Sequence, residues 1–203
     1  MKAIPGSRVF VAVAMLLLSA CTVVDLDADG NPILPKDPNA QASFSSQTPQ
    51  QIAESSWQNK VMDPARQKGL SWADMKTKSS TVKAGGSESV FVQASGTVTA
   101  FDDSNSRERN LTMTINGEPV KILVGPVLRS NAIRDAAGFR FEQFTNQVQY
   151  AQLTRALNRH AVKQLPPLDA GWVNKNAQAL LAVTMGRDSV QDVVAVSLTQ
   201  GNP

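Results

Sequence analysis

The dipeptide Asn116-Gly117 stands between two runs in which apolar and polar residues alternate, Leu111-Thr112-Met113-Thr114-Ile115 before it and Val120-Lys121-Ile122 leading to Val124 after it. A type I′ turn needs positive φ at both central residues, and Asn-Gly is the pair that accepts this most readily, so the segment is expected to be an antiparallel hairpin. An earlier alternation carries Val90, Val92 and Ala94 and continues through Gly96 to Phe101, where the glycine marks a bulge or sharp bend in a long strand. The polar run "DDSNSRER" returns that strand to the hairpin, which makes a three-stranded meander.

Gly125-Pro126 ends the third strand. Ser130 or Asn131 can cap a short helix that closes at Gly138. Thr145 can begin a longer helix, with Val148, Ala151, Leu153, Ala156, Leu157 and Ala161 on its inward side, until Pro166-Pro167 stops it. Two further strands, Ala177 to Met185 and Val190 to Thr199, are joined by "GRDS". Three strands, a helix and two strands is the order of the OB-fold, so the expected class is α+β with a five-stranded antiparallel barrel and its helix between strands 3 and 4. An open antiparallel sheet with helices on one face is the alternative. Ahead of the barrel, residues 50–80 carry Ile52, Trp57, Val61, Trp72 and Met75 among polar residues, with Pro64 in a first turn and Ser71 as an N-cap. Two or three short helices are expected there. Trp57 and Trp72 can serve as a sugar-stacking platform, but docking of these helices onto the barrel accounts for them more simply.

The chain opens with Lys2 and Arg8 ahead of an apolar run from Val9 to Leu18, too short to span a bilayer and laid out as a secretory signal. The run closes at Leu18-Ser19-Ala20-Cys21, which resembles a bacterial lipobox. Residues 1–20 are then a signal peptide, and Cys21, the single cysteine, is the lipidated first residue of the mature chain. With no second thiol there is no disulfide, and the core alone must hold the fold. Residues 21–49, rich in Asp, Asn, Pro, Ser and Gln without an apolar period, read as a flexible tether, and residues 50–203 as one domain of ordinary size. Losing Lys2 and Arg8 leaves 18 basic residues from the initial 20, against 17 acidic ones. That balance and an extracytoplasmic address give no reason to expect nucleic-acid binding.

Most catalytic chemistry lacks its residues. Asp25-Leu26-Asp27-Ala28-Asp29-Gly30 begins like an EF-hand loop, but Pro32 interrupts it and Lys36 stands where a bidentate Glu belongs, so no calcium site is assigned. No zinc set or glycine-rich phosphate loop occurs, and neither metal nor cofactor is expected. Ser80-Thr81-Val82-Lys83 has S-x-x-K spacing without the companion motifs of penicillin-recognising enzymes. His160, the single histidine, lies near a helix C-terminus, where the dipole favours a cationic ring, and it has no nucleophile nearby. The chain is therefore read as non-enzymatic.

One stretch is crowded with polar side chains among apolar ones: "GPVLRSNAIRDAAGFRFEQFTNQVQYAQL" holds Arg129, Arg134, Asp135, Asn146, Gln147 and Tyr150. Two short helices leaving a strand expose backbone groups that such residues can satisfy as caps and ion pairs. Alternatively the same six face outward and grip a sugar, a peptidoglycan fragment or a partner protein.

The lipobox cysteine, "VGPVLRSNAIRDAAGFRFEQFTNQVQYAQLTRALN" and "LDAGWVNKNAQALLAVTM" together resemble the family of predicted periplasmic lipoproteins called domain of unknown function 2291. The similarity covers nearly all of the chain after the tether; the long Pro-rich tether departs from it. Members are typically encoded beside ABC importers for simple sugars. The resemblance thus implies an accessory role in sugar uptake, with transporter components or a small sugar as partner and a lipid anchor in the inner or outer membrane. It supplies no catalytic residues. An envelope-maintenance lipoprotein attached to another membrane protein is the second reading, and an enzyme acting on glycans the third.

Overall fold

The computed structural model describes residues 44–201, and its strands are β1 (Leu70–Ser71), β2 (Glu88–Asp102), β3 (Glu108–Ile115), β4 (Glu118–Pro126), β5 (Asn176–Gly186) and β6 (Ser189–Gln200). The helices are α1 (Pro49–Ser56), α2 (Asp63–Lys68), α3 (Trp72–Ser79), α4 (Ala132–Ala136) and α5 (Gln147–Gln164), with short 3₁₀ turns between some of them. The signal peptide, Cys21 and the tether as far as residue 43 lie outside the described residues.

β2 to β6 close into a five-stranded barrel in the order β2-β3-β4-β6-β5, with β5 returning to pair with β2. The expected hairpin is present: Asn116 and Gly117 have φ of 50° and 82°, and Ile115 faces Glu118 across the turn. Closure depends on the length of β2. Its first part, Glu88 to Thr97, pairs antiparallel with β5, and its second, Thr97 to Asp102, pairs with β3. One continuous strand thus serves two sides of the ring. Gly96 sits at the changeover, where a Cβ would lie 2.0 Å from the Thr114 carbonyl oxygen. Of the bulge or sharp bend expected at Gly96, the bulge falls instead between Val98 and Ala100, and what requires the glycine is the close approach of the β3 backbone. The seam between β4 and β6 is parallel and narrow, with Leu123 opposite Val194.

Two apolar clusters follow from the alternation. Inside the barrel are Val92, Leu111, Met113, Ile122, Leu181 and Met185, and Trp72 and Met75 of α3 pack against them. On the outer side Phe91, Ala182, Val194 and Val196 meet α1, α2, α4 and α5. β5 and β6 are therefore buried on both faces through part of their length, which is why Val193 to Val196 reads as an uninterrupted apolar run. Each fully buried side chain of this size contributes about 1.5–3 kcal/mol of transfer free energy.

The helical segment differs from the sequence reading in detail. α1 continues through a π-helical stretch, Trp57–Met62, directly into α2. Pro64 lies in the first turn of α2 and has no N–H to donate, and the wider π turn before it absorbs the clash its ring would cause. Ser71 caps α3 by accepting from Asp74 N–H at 3.1 Å. Trp57 and Trp72 are 6% and 5% exposed, so both belong to the core and neither forms a stacking platform. Residues ahead of position 50 pack with the domain: Phe44 stacks on Phe144 with centroids 5.3 Å apart, and Thr48 closes a capping box with Gln51. The segment read as tether therefore gives its last residues to the domain.

At the start of α5 the cap is Asn146 rather than Thr145, its Oδ1 accepting from Gln149 N–H at 2.9 Å. Val148 is 62% exposed and Ala151 is also exposed. The inward stripe begins only at Leu153 and runs through Ala156, Leu157, Asn158 and Ala161. Apolar identity alone put the first turn on the wrong face. Among the described residues no helix is long and apolar enough to cross a membrane.

Candidate functional site

The crowded stretch divides on folding. Arg134, Asp135 and Tyr150 come together. Arg134 Nε donates to Asp135 Oδ1 at 2.7 Å, Nη2 lies 2.7 Å from the same oxygen, and Nη1 donates to Thr154 Oγ1 at 3.0 Å. The guanidinium also covers the Tyr150 ring, 4.0 Å from its centroid, while the Tyr150 hydroxyl donates to the Phe139 carbonyl at 3.1 Å. Burial pushes the Tyr150 phenol above its usual range, with the Arg134 charge opposing and the Asp135 charge adding to that rise. This knot ties α4 to α5. Asn146 is consumed as a cap, and Gln147, the first residue of α5, points to solvent. Arg129 lies apart, pairing with Glu108 across 3.4 Å and keeping 72% of its side chain exposed.

What assembles instead is a groove of about 790 Å³ between the β4–α4 connection and α5. Four arginines line it: Arg129 from the connection, Arg134 from α4, and Arg155 and Arg159 from α5. No Asp or Glu is in its lining, and Val127, 43% exposed, supplies apolar surface beside the charges. The floor is held by Asn158, which is 4% exposed. Its Nδ2 donates to the Leu128 and Ser130 carbonyls at 3.1 and 2.9 Å, satisfying backbone acceptors where the chain leaves the barrel, while its Oδ1 has no partner. Ser130 adds a second clamp, donating to Asp192 Oδ2 of β6 and accepting from Ala132 N–H, each at 3.0 Å. The wall that carries Arg129 is thereby fixed to both α5 and the barrel.

Sequence reasoning missed Arg155, Arg159, Thr154 and Asn158. The available signal was an asparagine inside the apolar stripe of α5, flanked by arginines one helical turn apart. A second hollow of about 460 Å³ over β2, β5 and β6 is lined by Arg66, Gln93, Ser95 and Gln178 among others, but its Gln93 amide is already engaged with the Ala65 and Arg66 carbonyls.

His160 lies outside the groove. Its ring packs 4.5 Å from the Trp57 ring, and burial lowers its pKa, with Glu54 opposing and Lys163 reinforcing the shift. The cationic ring expected from the helix dipole is therefore corrected to one that desolvation holds toward the neutral form. Ser80 of the S-x-x-K match donates to the Thr77 carbonyl at 2.8 Å in the turn after α3. Among the described residues no three His, Cys, Asp or Glu side chains gather as a metal site.

The barrel defines the class of fold. The chain is similar to the crystal structure of an OB-fold protein from Thermotoga maritima, with a TM-score of 0.55 at 12% identity over 77% of this chain and 100% of that one. At that identity the likeness establishes the fold alone. By sequence the chain belongs to the DUF2291 family of predicted periplasmic lipoproteins, whose model matches residues 11–199, Cys21 included. The assigned location is therefore the periplasm, with a lipid anchor at the membrane. No curated protein matches the chain.

Proposed function

We propose that this lipoprotein is a non-enzymatic accessory protein of a simple-sugar ABC importer, and that it works by binding a periplasmic component of the importer rather than by holding the sugar. The observation that carries this reading is the groove between the β4–α4 connection and α5. Its lining holds four arginines and no aromatic ring. A neutral monosaccharide is ordinarily held by hydrogen bonds above an aromatic face, whereas arginine beside exposed apolar surface is typical of protein interfaces. Clamping of the groove wall by Asn158 and Ser130 supports a preformed surface.

Crosslinking in intact cells, followed by recovery of the lipoprotein from membranes, tests the reading. Capture of the importer's binding protein or membrane subunit is the expected result. Capture of envelope-assembly proteins without importer parts would select an envelope-maintenance lipoprotein instead, a role that the long Pro-rich tether suits as well.

A further inference from the structure

We infer that the arginine groove is the docking site for an acidic, carboxylate-bearing segment of the partner protein. This deepens the accessory reading and rests on it only for which partner supplies the segment. The mature chain is close to charge balance, with 18 basic and 17 acidic residues, yet this one groove gathers four arginines and no carboxylate in its lining. Arg129 and Arg134 are paired with Glu108 and Asp135, neither of which lines the groove. Among the described residues Arg155 forms no ion pair, and Arg159 makes only a 3.5 Å contact with Gln50 Oε1. Two guanidiniums on α5 are thus available to an incoming anion.

Geometry selects an extended occupant over a single small anion. Arg155 and Arg159 are one turn apart on α5, about 6 Å along its axis, and the groove follows that helix from Ala151 to Arg159, about 12 Å. Alternate carboxylates of an extended peptide are about 6.6–6.8 Å apart, so two of them can meet the two guanidiniums in register. Arginine suits this task because its planar fork takes a carboxylate through two parallel hydrogen bonds. Apolar surface lies alongside: Val127 is in the groove, and Val148, 62% exposed, precedes Ala151 on the same helix. A peptide carrying apolar residues beyond its two acids on the same face would cover both.

The test uses the mature chain from residue 21 with Cys21→Ser, so that no acyl group is present, and a fluorescent octaglutamate peptide read by anisotropy. Saturable binding that weakens as salt is raised is expected. Arg155→Ala with Arg159→Ala should weaken it at least tenfold while the melting temperature stays unchanged, and Lys121→Ala with Lys175→Ala, exposed lysines outside the groove, should leave it intact. No binding, or equal loss in both double variants, would overturn the inference. So would displacement by equimolar inorganic phosphate, which marks a small-anion site, or stronger binding to phosphatidylglycerol vesicles than to the peptide. If the peptide fails while crosslinking still recovers importer components, the accessory role stands on another surface. If the peptide binds and no importer component is recovered, the groove stands and the importer assignment falls.

Discussion

The Arg134 guanidinium lies 4.0 Å from the centroid of the Tyr150 ring while its nitrogens bind Asp135 and Thr154. That one side chain, only 12% exposed, joins α4 to α5, and the Tyr150 hydroxyl beneath it holds the turn after α4 through the Phe139 carbonyl.

Arg134→Ala should therefore act on stability. Losing a partly desolvated cation–π contact and a charge-assisted hydrogen bond is expected to cost about 2 kcal/mol. For a domain of this size that lowers the melting temperature by roughly 4–8 °C. Arg134→Lys keeps the charge but loses the fork and should recover less than half of the deficit. Asp135→Ala, at a more exposed carboxylate, should cost about 0.5–1 kcal/mol. Thermal unfolding of the three variants checks the ranking; an unchanged melting temperature for Arg134→Ala would show that the knot contributes nothing to the fold.

Gly96→Ala probes barrel closure. The new Cβ would meet the Thr114 carbonyl oxygen at 2.0 Å, and because that oxygen belongs to a paired strand it cannot withdraw without breaking the β2–β3 register. A loss of about 3 kcal/mol or more is expected, read as a drop in the denaturant midpoint. A midpoint equal to wild type would mean that the β3 backbone does not approach Gly96 that closely.

His160 gives a pH dependence whose sign is fixed. Desolvation lowers its pKa in the folded chain, so the unfolded chain binds more protons between the folded and unfolded pKa values. Stability from this group is complete above the usual imidazole pKa and is lost as pH falls through that value toward the lowered one. His160→Gln should remove this component of the slope. As the single histidine, its imidazole can be titrated by NMR without assignment ambiguity, and a folded pKa at or above the free value would contradict the shift.

Much of the barrel was legible because its signals are local. The Asn116-Gly117 turn, the alternation in β3 and β4 and the stop at Pro166-Pro167 each involve a few neighbouring residues. Features that depend on distant contacts were not. Val148 and Ala151 resemble core residues by type, but the packed helix presents both to solvent and turns Leu153, Ala156, Leu157 and Ala161 inward. Arg155 and Arg159 look like ordinary surface charges until α5 packs against the β4–α4 connection and Arg129 and Arg134 arrive from elsewhere. The π turn ahead of Pro64 and the docking of Phe44 likewise follow from packing, against α5 and against Phe139 and Phe144.

A groove offered to importer components requires a chain held at the membrane from outside the cytoplasm, and Cys21 is the residue that would hold it. Intact-mass and amino-terminal peptide mass spectrometry of the protein purified from membranes measures this directly. The expected product begins at Cys21 and carries a diacylglyceryl thioether. A protein that keeps Met1 and a free thiol would remove the anchor, the compartment and the importer role together.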